Sequence, residues 1–463
     1  MDEKQDIFQE TIDAVIAEVS QKHYMSARNI ILENNEADIA DILEEVGDEL
    51  GIEKTIALFR MLPKNVSVEV FSYLDTDEQL HIIQAINDKE IRYILDELDF
   101  DDKIDVLDEL PANIVDKILE KTPKEERKLI NTFLNYPDNC AGTLMTPEYI
   151  SLKEEMTVSD ALRHIKREGI DSETIYTCYV KSQGRKLSGI VSLRALVISD
   201  GDVPITELMT TDPVSVGVYE DQEQVAETFK KYGFLAIPVV DSEQRIVGII
   251  TFDDILEVIE DEATEDIERM AGVMSGDTAG DEYLDIPVRK HVKNRLPWLL
   301  FLTISSMITG AIISQFEVVL SQVIVLVSYL PLLMSSGGNS GSQAATLVIR
   351  GLAVGDIALK DAFKVAAKEA GISIIVGLVL SVFNFCKVVF LDGESVMIGL
   401  TVSLSVIIIV FVAKLIGGLL PMLAKRVGID PALMASPLIS SLSDMISVLT
   451  FLGMACLFLG ITL

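Results

Sequence analysis

The 463-residue sequence predicts an α-helical membrane protein with five transmembrane helices per subunit, preceded by a cytosolic portion made of a helical solenoid and a tandem pair of α/β modules. Three observations predict it. Mean hydropathy is +0.35 although 24% of residues are charged, a combination that a single soluble domain rarely shows. The net charge of −34 is unevenly shared: residues 297–463 hold eight acidic and eight basic side chains, so the whole excess falls on residues 1–296. That acidic half is itself rich in Ile, Leu and Val, first at helical spacing and then in short strand-like runs. The charge distribution excludes nucleic acid as the main partner, because a phosphate backbone is bound through a basic face that releases its counterions. It also excludes a wholly soluble enzyme and a disordered acidic tail.

Cysteine and histidine usage points to no site. Cys140, Cys178, Cys386 and Cys456 form no CxxC, and the histidines at 23, 81, 164 and 291 are equally scattered, so neither a disulfide framework nor a zinc site is expected. The chain opens Met-Asp-Glu-Lys with no apolar run behind it, so no signal peptide is expected and the acidic half should stay in the cytosol. No catalytic constellation stands out, and no enzyme is expected.

From about residue 5 to 137, apolar residues recur every three or four positions between Asp, Asn and Pro, the pattern of short helices. Leu62-Pro63-Lys64-Asn65 returns 48 residues later as Leu110-Pro111-Ala112-Asn113, as stacked helical pairs of a small solenoid would require. From Asp138 to about Glu260 short strands alternate with helices. Leu144-Met145-Thr146 returns as Leu208-Met209-Thr210, and Gly189-Ile190-Val191-Ser192 as Gly248-Ile249-Ile250-Thr251, with β runs at Ile175–Val180 and Ala236–Val240 between them. Each copy resembles a CBS module, and the resemblance implies a compact pair able to take an adenine nucleotide such as ATP. The nucleotide pattern of such modules is Ser/Thr-x-x-Asp, the hydroxyl facing a phosphate and the carboxylate the ribose. The second copy has it as Thr251-x-x-Asp254, whereas the first reads Ser192-Leu193-Arg194-Ala195 and lacks the acid. Thr251, Asp254 and Arg194 are the candidate nucleotide contacts, and a purely structural module is the alternative.

The segment Asp253–Glu268 holds nine carboxylates and no base before Arg269. Ile255, Ile259, Ala263, Ile267 and Met270 recur at helical spacing and predict an amphipathic helix with one apolar stripe. Asp253, Glu257, Asp261 and Glu265 then align at i,i+4, and each like-charge pair costs about a few tenths of a kcal/mol. A solvated face is one reading. Divalent cations held between elements are the other, because further acids occur at Asp221, Glu223 and 99–105 and hard cations prefer carboxylate oxygen.

Beyond Arg295 the chain reads as membrane. Pro297–Phe316 and Val318–Ile349 carry no charge, Ala370–Cys386 and Ser395–Ala413 follow, and Pro431–Leu463 contains a single charged residue, Asp444. Each is long enough to cross roughly 30 Å of hydrocarbon at about 1.5 Å per residue. Lys290, Lys293 and Arg295 precede the first span, Arg350, Lys360, Lys364 and Lys368 lie between the second and third, and Lys425 and Arg426 between the fourth and fifth, while the opposite loops hold only Lys387. The bias places the N-terminal portion in the cytosol and the C-terminus outside. Trp298 sits beside Arg295 as an interfacial belt residue or as a functional one.

Asp444 is expected to be the one carboxylate well inside an apolar span, and an ionisable group at that depth is a functional candidate. Ser436, Ser440 and Asp444 share one helical face, an oxygen-lined wall suited to a hydrated cation, since Mg²⁺ keeps most of its waters. The run Pro331…Gly337-Gly338-Asn339-Ser340-Gly341-Ser342-Gln343 is not a phosphate loop, because no Gly-Lys-Ser/Thr follows. It is either a close helix-packing face through Gly337 and Gly341 or irregular backbone lining a cavity, which would bring Asn339 and backbone carbonyls to a pore.

Taken together, the Gly337-Gly338-Asn339-x-Gly341-x-Gln343 segment, Asp430-Pro431-Ala432 with Pro437 and Asp444, and Glu262-Ala263-Thr264-Glu265-Asp266-Ile267 resemble the MgtE family of magnesium channels over essentially the whole chain. The resemblance implies a homodimer in the cell membrane with a helical N-domain (1–137), a CBS pair (138–260), a connecting plug helix (261–296) and a five-span pore domain (297–463). It implies that Asp444 of both subunits binds hydrated Mg²⁺ in the pore, with Ser436, Ser440 and Asn339 nearby. Asp101, Asp105, Asp221, Glu223, Asp254, Glu257, Glu262, Glu265 and Asp266 match the family's cytosolic Mg²⁺-sensing positions. Ser436, Ser440-Ser441 and Ser447 depart from the family's usual residues. The expected activity is Mg²⁺ uptake through a channel that cytosolic Mg²⁺ closes, modulated by ATP. A transporter of broader divalent specificity (Co²⁺, Mn²⁺, Ni²⁺) and a non-conducting membrane sensor are the alternatives.

Overall fold

Pro63, Pro111 and Pro123 each stand at the N-cap of a helix, in the extended conformation that precedes one. The Leu-Pro-x-Asn repeat is therefore a helix start, with Leu62 and Leu110 buried just before it. Short helices run from Asp2–Ser20 to Lys124–Phe133. Elements this short gain their stability from the faces they bury. Alternate helices pack together: Asp2–Ser20 on Glu36–Leu50, Glu36–Leu50 on Lys64–Tyr73, Lys64–Tyr73 on Asp88–Glu97 and Thr76–Ala85 on Phe100–Glu109, around fully buried Ile31, Leu43, Phe71 and Ile82. The computed structural model describes residues 2–170, 172–182, 184–274, 283–284, 286–434 and 436–460. It comprises two compact units, Met1–Val258 and Ile259–Leu463.

The α/β pair is built from strands β1 (Tyr149–Lys153), β2 (Thr174–Lys181), β3 (Leu187–Ser192), β4 (Thr210–Thr211), β5 (Val216–Gly217), β6 (Ala236–Val240) and β7 (Ile246–Thr251). They form two sheets, β1-β2-β3-β4 and β5-β6-β7, each with one parallel pair followed by antiparallel pairing. The copies exchange their leading segments. β4, which opens the second copy, pairs with β3 of the first, and Thr146, which opens the first, bridges Ile249 of the second through two backbone hydrogen bonds of 2.8 and 2.9 Å. The two repeat signatures seen in the sequence are thus one contact made twice. A Cβ on Gly248 would lie 2.8 Å from both Met145 Sδ and Thr146 O, and one on Gly189 would lie 2.7 Å from Thr210 O and 3.0 Å from Met209 Sδ.

The acidic helix spans Phe252–Ala271 and follows β7 without a linker. Its apolar stripe is covered only near the ends. Ile255 is fully buried, as is Val258 nearly so, but Ile259 and Ile267 are 36% and 69% exposed, and Met270 packs with Ala345, Ile349 and Ile439. The expected helix is formed, and its apolar stripe is buried at Ile255 and Val258 and more exposed at Ile259 and Ile267. The segment 261–296 is not one helix. It breaks after Ala271 at Gly272, whose φ is +77°, Met274 N–H donates to Asn294 O at 2.9 Å, and a new helix begins at Val288. Residues 275–282 and 285 of this segment, and 461–463 of the last expected span, lie outside the described residues.

Among its described residues the second unit contains five helices of 24 residues or more, Val288–Gln315, Leu326–Ala353, Ala362–Cys386, Val396–Val427 and Ser436–Leu459, called here the first to fifth long helices. Among the described residues four stretches are long and apolar enough to cross a membrane: Val288–Gln315, Leu359–Leu391, Val396–Val427 and Pro431–Leu459. The second long helix falls short of that measure because Ser335–Gln343 interrupts its apolar sequence with Gly, Ser, Asn and Gln. It packs against the fourth and fifth, and the third against the fourth.

The exchanged contacts make a direct test of the paired sheets. Gly248→Val forces a branched side chain against Met145 and Thr146, and overpacking of this kind costs about 1–3 kcal/mol. Thermal unfolding of the full chain in detergent should show a lowered first transition, and an unchanged one would mean that this contact is not close-packed.

Candidate cation-binding sites

The helix Phe100–Glu109 begins with Asp99 at its N-cap and Asp101 and Asp102 in its first turn, where carboxylates favour the helix dipole. For Asp101 and Asp102, burial acts in the opposite direction. Burial, with Asp254, Glu173 and Asp102 nearby, pushes the Asp101 carboxyl up to about 9. Burial, then Asp99 and Asp254, raises Asp102 to about 6. Glu173, just before β2, is raised to about 7 by burial, Asp99 and Asp254. Asp254 is also raised by burial, opposed by the hydrogen bond it accepts from Thr251 Oγ1 at 2.5 Å. Ligand oxygens of Asp99, Glu148 and Glu173 lie within 4.8 Å of one another. The first unit therefore gathers Asp101 and Asp254 of the expected sensing residues with three loop or cap acids that helical spacing could not select. Glu257 is close enough to raise Asp102.

A second acidic group lies in the other unit, on the later turns of the acidic helix. Burial leads the upward shift of Asp261, Glu265 and Asp266. Asp430 raises the latter two, and Arg269 opposes the shift in both. Arg269 Nη1 donates to Asp430 Oδ2 at 2.6 Å and Nη2 to Glu265, while Asp430 Oδ1 accepts from Ala432 N–H at 2.8 Å. The helix is thus clamped to the turn preceding the fifth long helix, near the point where Met270 enters its apolar cluster. Arg269 is the base that ends the acidic run, and it is the residue that pairs with Asp430. Glu262 lies in the same stretch, its charge adding to the repulsion on Glu265 and Asp266.

Asp221 is the N-cap of Gln222–Tyr232, accepts from Glu223 N–H at 3.0 Å, and is exposed like Glu223 and Asp105. Arg194 is exposed on the short helix after β3. Thr251 is buried, and both its backbone N–H and its hydroxyl are given to Asp254.

In the membrane half the Gly-rich run is helical throughout and lies within Leu326–Ala353. Its backbone carbonyls belong to the helix ladder, so irregular backbone at a pore is not what the glycines provide. They provide close approach. Cβ atoms would fall 2.7 Å from Ser447 Oγ and 2.9 Å from Ile409 at Gly337, and 2.6 Å from Ile439 at Gly341. Gly338 faces Ser440, and Ser436 Oγ donates to Ser342 Oγ at 3.0 Å. Ser436, Ser440 and Asp444 occupy one face of the fifth long helix. Asp444 is half-buried and has no ion-pair partner among the described residues. Asn339 is exposed on the second helix, its amide donating to Ser335 at 3.2 Å. Trp298 lies against Gly272. Asp444 is not the one deep carboxylate: Glu369, on the third long helix, is buried opposite Lys414 on the fourth. Its signal was the stripe Glu369, Ser373, Gly377, Ser381 at i,i+4 spacing, which begins one residue before the uncharged run.

Three family models match the chain: "Divalent cation transporter" over residues 330–454, "MgtE intracellular N domain" over 34–139, and "CBS domain" over 141–199 and 205–261. A curated relative, the magnesium transporter MgtE of Thermus thermophilus, is 37% identical over 453 residues, covering 95% of this chain and 99% of the relative. The magnesium transporter MgtE of Bacillus subtilis is 30% identical, with 89% and 93% covered. Among solved structures, the cytosolic domain of the Mg²⁺ channel MgtE in complex with ATP is 34% identical and aligns over 53% of this chain and 99% of that one at a TM-score of 0.49. A membrane half of long apolar helices, an intracellular N domain and a CBS pair, matched over most of the chain by such relatives, show that this chain belongs to the MgtE family of divalent cation transporters, and not to a family of enzymes.

Proposed function

We propose that this protein conducts Mg²⁺ across the cell membrane as a homodimer of five-span subunits, and that cytosolic Mg²⁺ closes it. The relatives' common name supports Mg²⁺ as the cargo. The observation that carries the gating is the helix Phe252–Ala271, which contributes Asp254 to one buried carboxylate group and Glu265 and Asp266 to another. Each group raises the proton affinity of its members, the sign of negative charge held together at a cost. Divalent cations relieve that cost only while the carboxylates are gathered, so they favour the gathered state and shift the population toward it. Without them repulsion separates the surfaces and frees the helix at its Arg269–Asp430 clamp. Asp105, Asp221, Glu223, Glu257 and Glu262 are assigned to the same sensing surface.

The second long helix is read as the fifth membrane crossing, its polar glycine face covered by the fourth and fifth helices. The bases of the loops put the N-terminal portion in the cytosol and the C-terminus outside, and Lys387, the base on the other side, is paired with Asp392 at 2.7 Å. Asp444, with Ser436, Ser440 and Asn339 around it, is assigned as the pore ligand for a hydrated ion, the two subunits each supplying one carboxylate. The alternating contacts of the N-terminal helices support reading them as a solenoid. An adenine nucleotide is assigned to the CBS pair at Thr251 and Asp254, with the exposed Arg194 available to phosphate.

Three outcomes are expected. Asp444→Asn should lower Mg²⁺ flux in proteoliposomes by about tenfold or more, equivalent to ~1.4 kcal/mol; full flux would remove Asp444 from the pore. A chain lacking residues 1–262 should still conduct and lose its inhibition by cytosolic Mg²⁺, and retained inhibition would refute the gating scheme. In the metal-free full chain, Asp101 binds its proton more tightly folded than unfolded, so the stability it lends is present at low pH and fades as pH rises from the ordinary carboxylate range through about 9. Melting temperature in chelator should therefore fall over that window and recover with Mg²⁺, and Asp101→Asn should flatten the fall.

A further inference from the structure

The third and fourth long helices bury a charged pair that the pore and the sensing groups do not use. Glu369 is 7% exposed and Lys414 4%. Lys414 Nζ stands 4.0 Å from Glu369 Oε2, and that oxygen accepts no hydrogen bond among the described residues. Burying two charges is favourable only with close geometry and with the remaining lone pairs satisfied. Neither condition is met. The site is nevertheless built to admit the carboxylate: a Cβ on Gly418 would lie 3.2 Å from Glu369 Cγ, so glycine there leaves room for the acidic stem.

Glu369 and Lys414 line a cavity of about 770 Å³, whose opposite wall is the second long helix with Asn339, Ser342 and Gln343. These side chains supply amide and hydroxyl oxygens, the groups that hold the water shell of a hard cation. A hexahydrated ion needs roughly 200 Å³ at about 30 Å³ per water, which the cavity exceeds. Ser342 also receives the hydroxyl hydrogen bond from Ser436, so the cavity adjoins the face that carries Ser440 and Asp444. The Glu369 side chain borders a cleft that carries amide and hydroxyl groups among apolar side chains, and one of its carboxylate oxygens is buried without a hydrogen bond, an arrangement that suits an ion station better than a structural bond.

We propose that this cavity is a second station for a hydrated divalent cation, with Glu369 as its anionic partner and the Lys414 ammonium as a tethered cation that holds the position while no metal is there. Entry of the ion displaces Lys414 from Glu369, and departure of the ion lets it return. This rests on the reading of the protein as a Mg²⁺ conductor.

The two roles of the pair predict opposite signs. In full-length protein in liposomes, with Mg²⁺ alone as the probe, Lys414→Gln removes the competitor and should lower the half-saturating Mg²⁺ of flux by about tenfold, whereas Glu369→Gln should raise it by about tenfold. The double variant should behave like Glu369→Gln. A structural salt bridge would give the reverse pattern: both single variants impaired together in flux and melting temperature, and the double variant restored. That result would overturn the station while leaving Mg²⁺ conduction by the unmodified protein intact; absence of Mg²⁺ flux in the unmodified protein would instead overturn the reading on which it rests. If Glu369→Gln does not fold, Lys414→Gln decides alone, with an unchanged or raised half-saturation refuting the proposal.

Discussion

Repulsion among gathered carboxylates is the constraint on which the acidic half depends. A net charge of −34 would be unremarkable if it were spread over solvated surfaces. Here Asp254, Glu173 and Asp102 raise the proton affinity of Asp101, and Asp254 that of Asp102 and Glu173, on top of the larger effect of burial. The fold has hydrophobic packing enough to carry that burden, with Ile, Leu and Phe fully enclosed along the N-terminal helices. A surface under such tension is sensitive to anything that neutralises it, and the cheapest neutralising agent for oxygen ligands is a hard divalent ion.

The membrane half works by the opposite means. Its net charge is zero, and its close contacts come from the absence of side chains. Gly337, Gly338 and Gly341 let the second long helix approach Ile409, Ser440 and Ile439 so nearly that a methyl group at two of these positions would collide. Between hydrocarbon-soluble helices there is little hydrophobic gain from association, so backbone proximity and dispersion must hold the bundle. Among the described residues of its helices, hydroxyl and amide groups are buried at many positions, whereas carboxylates are enclosed at Glu369 beside Lys414 and half-enclosed at Asp444.

Much of this architecture was legible in the residues, and the failures have physical causes. Periodicity found the acidic helix and the strand runs inside β2 and β6, because local spacing reports which face is buried. It gives the stripe of the acidic helix but not how much of it is covered, for Ile259 and Ile267 have the right spacing and remain exposed. The Gly-rich run looked equally like irregular backbone and like a packing face, because glycine permits both; only the neighbouring helices decide. Asp101 and Asp254 were marked by resemblance and Asp99 by the acid run 99–105, yet Glu148 and Glu173 sit outside any helix or strand, where no period exists to point them out. Glu369 escaped because it lies at the edge of an uncharged run, and burial by the fourth helix is a tertiary fact.

The exchanged strands of the α/β pair bear on how the chain is made. The first sheet is completed by Thr210 and Thr211, and the second is bridged by Thr146 to Ile249, across about a hundred residues. Neither copy closes on its own: the first sheet needs Thr210 and Thr211, and the bridge from Thr146 needs Ile249, a contact of long sequence separation that forms slowly. The last strand runs directly into the acidic helix. Closure of the second sheet therefore comes late in synthesis, directly before the helix that brings Asp254 to the carboxylates supplied by earlier parts of the chain.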